Sequence, residues 1–272
     1  MIKSEKLYII GNGFDIHHGL PCSFTDFRLW LKENRPEVYN QYNRIYCEVE
    51  SDLWSDFEQC LFCFNLDDYP YDVTRANLEA FKAELYEAIR QWVRSIGLPD
   101  SSTVIENIDK DALFITFNYT RTLEDVYGID EDRVLHLHGS VKDDSIVFGH
   151  GSSKKDRSWY EDYPDEYKNM MEEETKEDKL IRMSDKFIDV FKKPVAEIIE
   201  KNHCFFDTLR GVKEITILGF SYSDIDMPYL EKIVEMTGDD VYVHFGHHTF
   251  MEFNRALRVA DELGVSARFM DF

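Results

Sequence analysis

The chain has 272 residues, 43% of them hydrophobic, with 31 Lys and Arg against 53 Asp and Glu and a formal net charge of −22. That apolar content supplies a full core and argues against disorder, while the acidity argues against general nucleic-acid binding, which sets Lys and Arg against phosphate. No apolar run reaches the roughly 18 residues of a membrane span, no basic-then-apolar leader opens the chain, and five cysteines do not suit a secreted disulfide framework; the expectation is a reduced, cytoplasmic protein without a membrane segment.

The first buried strand is expected at Leu7–Ile10, and Gly11-Asn12-Gly13-Phe14-Asp15 follows it directly. Glycines after a strand let a ligand approach the backbone, and a helix starting there turns its free N–H groups toward phosphate. The pattern is half a dinucleotide fingerprint, since Ile16 stands where the third glycine would be; an ordinary tight turn is the other reading. Asp15 reads as a helix cap or a ribose contact. His17-His18 read as polar residues near a loop, with no further ligands at metal spacing.

From about 23 to 102 the chain carries Trp30, Leu31, Trp54, Phe57, Leu61, Leu85, Ile89 and Trp92 at helical spacing, with Pro36 and Pro70 as punctuation. This predicts a helical insertion of about three helices whose aromatics are core. Cys60-x-x-Cys63 lies inside it, with no second such pair, and reads as buried thiols.

Leu113–Phe117 predicts the next strand, ending in Asn118-Tyr119-Thr120. In open parallel sheets ligands bind at the carboxyl ends of strands. Asn118 is therefore placed to hold a sugar hydroxyl or a water, with an Asx-turn or a cap on a helix at Thr120–Tyr127 as its bland role. Val134–Leu137 is a weaker strand, with His136 and His138 on one face. His138, at the strand end before Gly139, suits a general base; a two-His metal site lacks a third ligand, and backbone-bonded structural histidines are the other reading. Ser145–Phe148 is another weak strand candidate.

A second insertion spans about 152–210, polar up to Asp178 and helical in pattern from Asp185, with a break or kink at Pro194. Glu214–Leu218 predicts a strand followed by Gly219-Phe220-Ser221-Tyr222-Ser223-Asp224-Ile225-Asp226. Those residues suit a phosphate or ribose, or a cap for a helix at Met227–Met236. Val241–Phe245 is the last expected strand. Continuous apolar strands alternating with helices predict an α/β fold, a Rossmann-like parallel sheet with helical insertions, over one domain spanning 1–272.

Taken together these segments resemble the AbiH family of bacteriophage abortive-infection proteins. The resemblance is carried by Ile10–Asp15 with His18–Pro21, Trp54–Glu58, Phe117–Thr120, His136–Gly139, and Leu218–Ser221 with Asp224–Asp226. More distantly, Gly11-Asn12-Gly13, Gly19-Leu20-Pro21, Thr116-Phe117-Asn118 and His138-Gly139 are similar to sirtuins and sirtuin-like NAD-cleaving defence enzymes. Thr120 replaces the sirtuin Asp, and the zinc ribbon is missing, so protein deacylation is not implied.

The resemblance implies an anti-phage protein that binds NAD or a related nucleotide and cleaves its nicotinamide–ribose bond, with no metal. Asn118 and His138 would be catalytic, and Gly11, Asn12, Gly13, Phe14, Asp15, Thr116, Gly219, Ser221 and Asp224 would bind the nucleotide. The alternative is a non-catalytic nucleotide or ADP-ribose sensor whose insertions engage a protein partner or a second copy of the chain. A metal-dependent nuclease is a third reading, for which Asp15, Asp224 and Asp226 are the candidate ligands.

Overall fold

A computed structural model of the chain describes residues 3–46, 57–61, 75–99, 103–142, 146–151, 188–238 and 240–272. The expectations on Trp54–Asp56, on Cys63 and on the polar run from 152 fall outside those residues.

The described chain divides into two compact units. The first comprises Met1–Ser23, Arg90–Val147 and Pro194–Phe272. Its centre is a sheet of six strands: β1 (Lys6–Ile10), β2 (Leu113–Thr116), β3 (Val134–His136), β4 (Glu214–Leu218), β5 (Tyr242–His247) and β6 (Ser266–Asp271). All pairings are parallel, in the order β3-β2-β1-β4-β5-β6. That is the doubly wound order in which the chain reverses direction across the sheet between β1 and β4, as the α/β Rossmann-like expectation required.

Alternation along β1 sends Leu7 and Ile9 to one face and Ile10 to the other. On the first face the core is closed by α7 (Val195–Lys201), α8 (His203–Thr208), α9 (Met227–Thr237) and α10 (Phe250–Leu263), through residues such as Ile198, Phe206, Tyr229, Ile233 and Val259. On the other face α1 (Asn12–His17) contributes Phe14, and α6 (Thr122–Asp125) contributes Leu123. Burial on both faces explains why β2 reads as an unbroken apolar run. α10 is bounded by a capping box, with Thr249 accepting from the Glu252 N–H and Glu252 accepting from the Thr249 N–H.

The second unit comprises Phe24–Ile89 and Phe148–Lys193. It holds α2 (Phe24–Asn34), α3 (Pro36–Tyr46), α4 (Phe57–Cys60) and most of α5 (Arg75–Ser95). Phe57 is fully buried, with the rings of Phe24, Phe27, Tyr42 and Phe148 at 5.0, 5.6, 5.5 and 6.2 Å. Among the described aromatics of this stretch, Phe57, Phe81 and Trp92 are buried and Trp30 is half-buried. Within this unit the ammonium of Lys193, its side chain 0% exposed, meets Glu58 at 3.0 Å, and Glu58 also accepts the Gly149 N–H at 3.0 Å.

Two local expectations change. The described part of Ser145–Phe148 forms no strand; the Val147 N–H instead donates to the His138 carbonyl, and His150 makes an isolated bridge with Lys192. The helix expected over Thr120–Tyr127 contracts to Thr122–Asp125, because the Thr120 and Thr122 hydroxyls turn inward to a buried carboxylate.

Candidate functional site

Register places the site. Ile10 pairs with Thr116 on one side and Leu218 on the other, and Thr116 pairs with His136. The segments after β1, β2, β3 and β4 therefore leave the sheet along one carboxyl edge.

After β1 and β4 the two loops meet backbone to backbone. Gly11 N–H donates to Leu218 O at 3.0 Å, Gly13 N–H to Gly219 O at 2.8 Å, and Phe14 N–H to Gly11 O at 3.0 Å. A Cβ on Gly11 would stand 2.5 Å from Gly219 O, and one on Gly13 would stand 2.8 Å from Gly219 Cα. Gly219 itself has φ +61, and a Cβ there would collide with the Phe14 nitrogen. The glycines thus permit one loop to approach the other, and the Gly13 and Phe14 N–H groups at the start of α1 are taken by the chain's own carbonyls. Asn12 donates from Nδ2 to Cys22 O at 3.0 Å, and Phe14 lies in the core against Tyr127 and His18.

Asp15 is 1% exposed and accepts from the hydroxyls of Thr120 and Thr122, the latter at 2.6 Å. Burial pushes its carboxyl above the usual carboxylate range, against the two hydroxyl bonds and the influence of His18 and His136. It neither caps α1, whose N-cap is Gly11, nor stands open to a sugar; it ties α1 to the segment after β2. Buried His18 bridges Phe14 O at 2.7 Å and the Tyr127 hydroxyl at 2.8 Å, a structural role.

Asn118 is 6% exposed and is held by three strands' worth of neighbours. Its N–H donates to Thr116 Oγ1 at 3.1 Å, its Nδ2 donates to Gly11 O at 3.0 Å, and its carbonyl accepts from His136 Nδ1 at 3.2 Å. Its Oδ1 is buried with no hydrogen-bond partner among the described residues, a costly state for an amide oxygen. The capping role is not realised: the N-cap of α6 is Arg121, with no side-chain cap bond.

His138 is 4% exposed, its ring edge-on to Phe117 at 5.2 Å and to Tyr229 at 5.6 Å. Its Nε2 lies 4.0 Å from Asp226 Oδ1. Asp226 is the N-cap residue of α9, yet its side chain makes no cap bond there. From the sequence, Asp224 is the binding or capping acid, and Asp226 is singled out by itself only as a nuclease ligand. The structure reverses their positions: Asp224 is exposed and paired with Arg258 at 2.6 Å, while Asp226 turns toward His138. Nothing in Asp224-Ile225-Asp226 separates the two acids until the turn between β4 and α9 is folded. Ser221 is also exposed, its carbonyl accepting from Arg255 at 3.4 Å. Between them Tyr222, fully buried, holds a left-handed φ of 55° and donates its hydroxyl to Gly246 O at 2.6 Å; such a backbone is costly for a non-glycine residue.

The three candidate nuclease acids have three different partners: Thr120 and Thr122, Arg258, and His138. Among the described residues no group of three or more His, Cys, Asp or Glu side chains is placed to hold a metal ion. Also among them, no helix is long and apolar enough to cross a membrane.

The family model described as bacteriophage abortive infection AbiH matches residues 7–76 and 65–246. No curated protein matches the chain.

Proposed function

The chain belongs to the AbiH family of bacteriophage abortive-infection proteins, and from that premise we propose that it binds NAD or a related nucleotide at the carboxyl edge of its sheet and cleaves the nicotinamide–ribose bond. Membership in the family implies an anti-phage, abortive-infection role; the chemistry is the proposal. The observation that carries it is Asn118. A buried amide with three groups fixed and Oδ1 unpartnered stands beside the β1–β4 reversal, where open α/β sheets take dinucleotides.

Cleavage breaks the bond from ribose C1′ to the pyridinium nitrogen. The electron pair leaves with nicotinamide, and positive charge develops on the ribose. Water then attacks C1′ and gives its proton to a base. Asn118 Oδ1 accepts from a ribose hydroxyl or from that water, and His138 is the base, with Asp226 balancing the charge the ring acquires. Purified protein incubated with NAD should release nicotinamide, measured chromatographically. Release that is absent from folded protein under every activating condition would reject the reading.

One observation favours the sensor alternative. His138 is nearly enclosed by Phe117 and Tyr229, an arrangement that suits ligand-induced rearrangement as well as catalysis. Calorimetric binding of NAD without nicotinamide release would select it.

A further inference from the structure

Asn118 is anchored from three different strands, and each anchor has a separate chemical character. Gly11 O, after β1, accepts from its amide. Thr116 Oγ1, on β2, accepts from its N–H. The third anchor is His136 on β3, whose Nδ1 meets the Asn118 carbonyl at 3.2 Å. A carbonyl can only accept, so Nδ1 carries a proton.

The other ring nitrogen faces Glu124 Oε1 at 2.9 Å. That contact is attractive when Nε2 is protonated too, giving an imidazolium between a carbonyl and a carboxylate. Both side chains are largely buried, at 12% and 6% exposure. Burial, the largest influence, pushes the Glu124 carboxyl upward, but the hydrogen bond and charge of His136, a backbone N–H and Arg121 at 3.6 Å together outweigh it, so Glu124 is held below its usual value. Asp15 on α1 also acts electrostatically with His136. Among the described residues Glu124 Oε2 has no hydrogen-bond partner.

We propose that His136, oriented by Glu124, is a positioning residue for Asn118: the pair fixes the peptide that carries the amide and so sets the direction of Oδ1. This rests on the reading that Asn118 acts on the ribose of NAD. A misplacement of about 1 Å at a group that acts in the transition state costs on the order of 10²-fold in rate. Binding of a ground-state ligand is affected far less, because the interaction strengthens only as charge develops.

The test compares the full-length wild type with Glu124→Gln, His136→Gln and Glu124→Asp. Nicotinamide release gives kcat and KM, and calorimetry with ADP-ribose gives a ground-state Kd. The expected result is a kcat lower by about 10–100-fold in Glu124→Gln and His136→Gln, with the ADP-ribose Kd within about threefold of wild type and partial recovery of kcat in Glu124→Asp. A kcat within about twofold of wild type, or a parallel loss of kcat and ADP-ribose affinity, overturns the positioning role. If Glu124→Gln fails to fold by circular dichroism, His136→Gln, which keeps a side-chain donor, decides. A wild type that neither releases nicotinamide nor binds ADP-ribose overturns the NAD reading itself, and the positioning role falls with it.

Discussion

Gly13 donates its backbone N–H to the Gly219 carbonyl at 2.8 Å, and a side chain on Gly219 would enter the backbone at Phe14. The contact joins the loops after β1 and β4, so it fixes the edge on which Asn118 lies. Gly219→Ala therefore combines a left-handed φ, about 1–2 kcal/mol for an L-residue, with a steric collision against main chain that no rotamer relieves. Urea unfolding should show destabilisation above about 2 kcal/mol or a chain that does not fold. An unchanged midpoint would show that the loops separate without penalty.

Asp15 has its carboxyl raised by burial. A folded-state value above the unfolded one means that the folded chain binds the proton more tightly. Its contribution is fully present below the unfolded value near 3.8 and is lost as pH rises through the higher folded value. Asp15→Asn has no such titration. The stability of wild type relative to Asp15→Asn should therefore fall as pH rises from about 4, read from denaturant midpoints across pH. A constant difference would contradict the assignment.

Glu124 works in the opposite sense. Its carboxyl is lowered from 4.5, so its stabilisation is present above that value and disappears as pH falls through the depressed one. Wild type and Glu124→Gln should differ most in stability near neutrality and converge in acid. A stability difference that persists unchanged into acid would contradict a lowered Glu124 carboxyl.

In the helical unit, Lys193 and Glu58 form a pair in which the lysine side chain is wholly covered. Removing one partner leaves a buried charge uncompensated, at a cost of about 3–5 kcal/mol. Lys193→Met and Glu58→Gln should each destabilise by that order in urea unfolding. The double change should cost less than the sum of the two, and strict additivity would count against coupling.

The acids between β4 and α9 differ in environment. His138→Ala should lower nicotinamide release by about 10²–10⁴-fold, the usual contribution of a positioned base. Asp226→Asn, 4.0 Å from that ring, should lower it more than Asp224→Asn, whose side chain is 79% exposed against Arg258. Equal effects would place the two acids on the same footing and remove Asp226 from the site.

The central strands could be read directly because most of their positions are buried, and burial on both faces selects apolar residues. Glu214–Leu218 coincides with β4, and Leu113–Phe117 overruns β2 by one residue. β6 was missed for the converse reason. Ser266–Asp271 is an edge strand of half-buried and exposed residues, with Arg268 and Asp271 in it, and it carries no apolar run. The site was legible as a set of segments, since glycines, Asn118 and His138 all follow strand-like runs. Their partners were not, because Asn118–Gly11, His136–Glu124 and His138–Asp226 join residues whose proximity depends on strand order. Glu124 had no signal at all: an acid in a short polar helix looks solvent-facing until His136 is folded against it.

The first strand of the chain is an inner strand of the sheet, flanked by residues that come far later: Leu7 pairs with Leu113 and, across its other edge, with Ile215. During translation it emerges about 100 residues ahead of β2 and about 200 ahead of β4. Pairings this remote in sequence close slowly, and an apolar segment left waiting is prone to non-native association. The assembly of this sheet is thus gated by the last third of the chain, and a nascent chain stalled before Glu214 carries β1 with one edge bare.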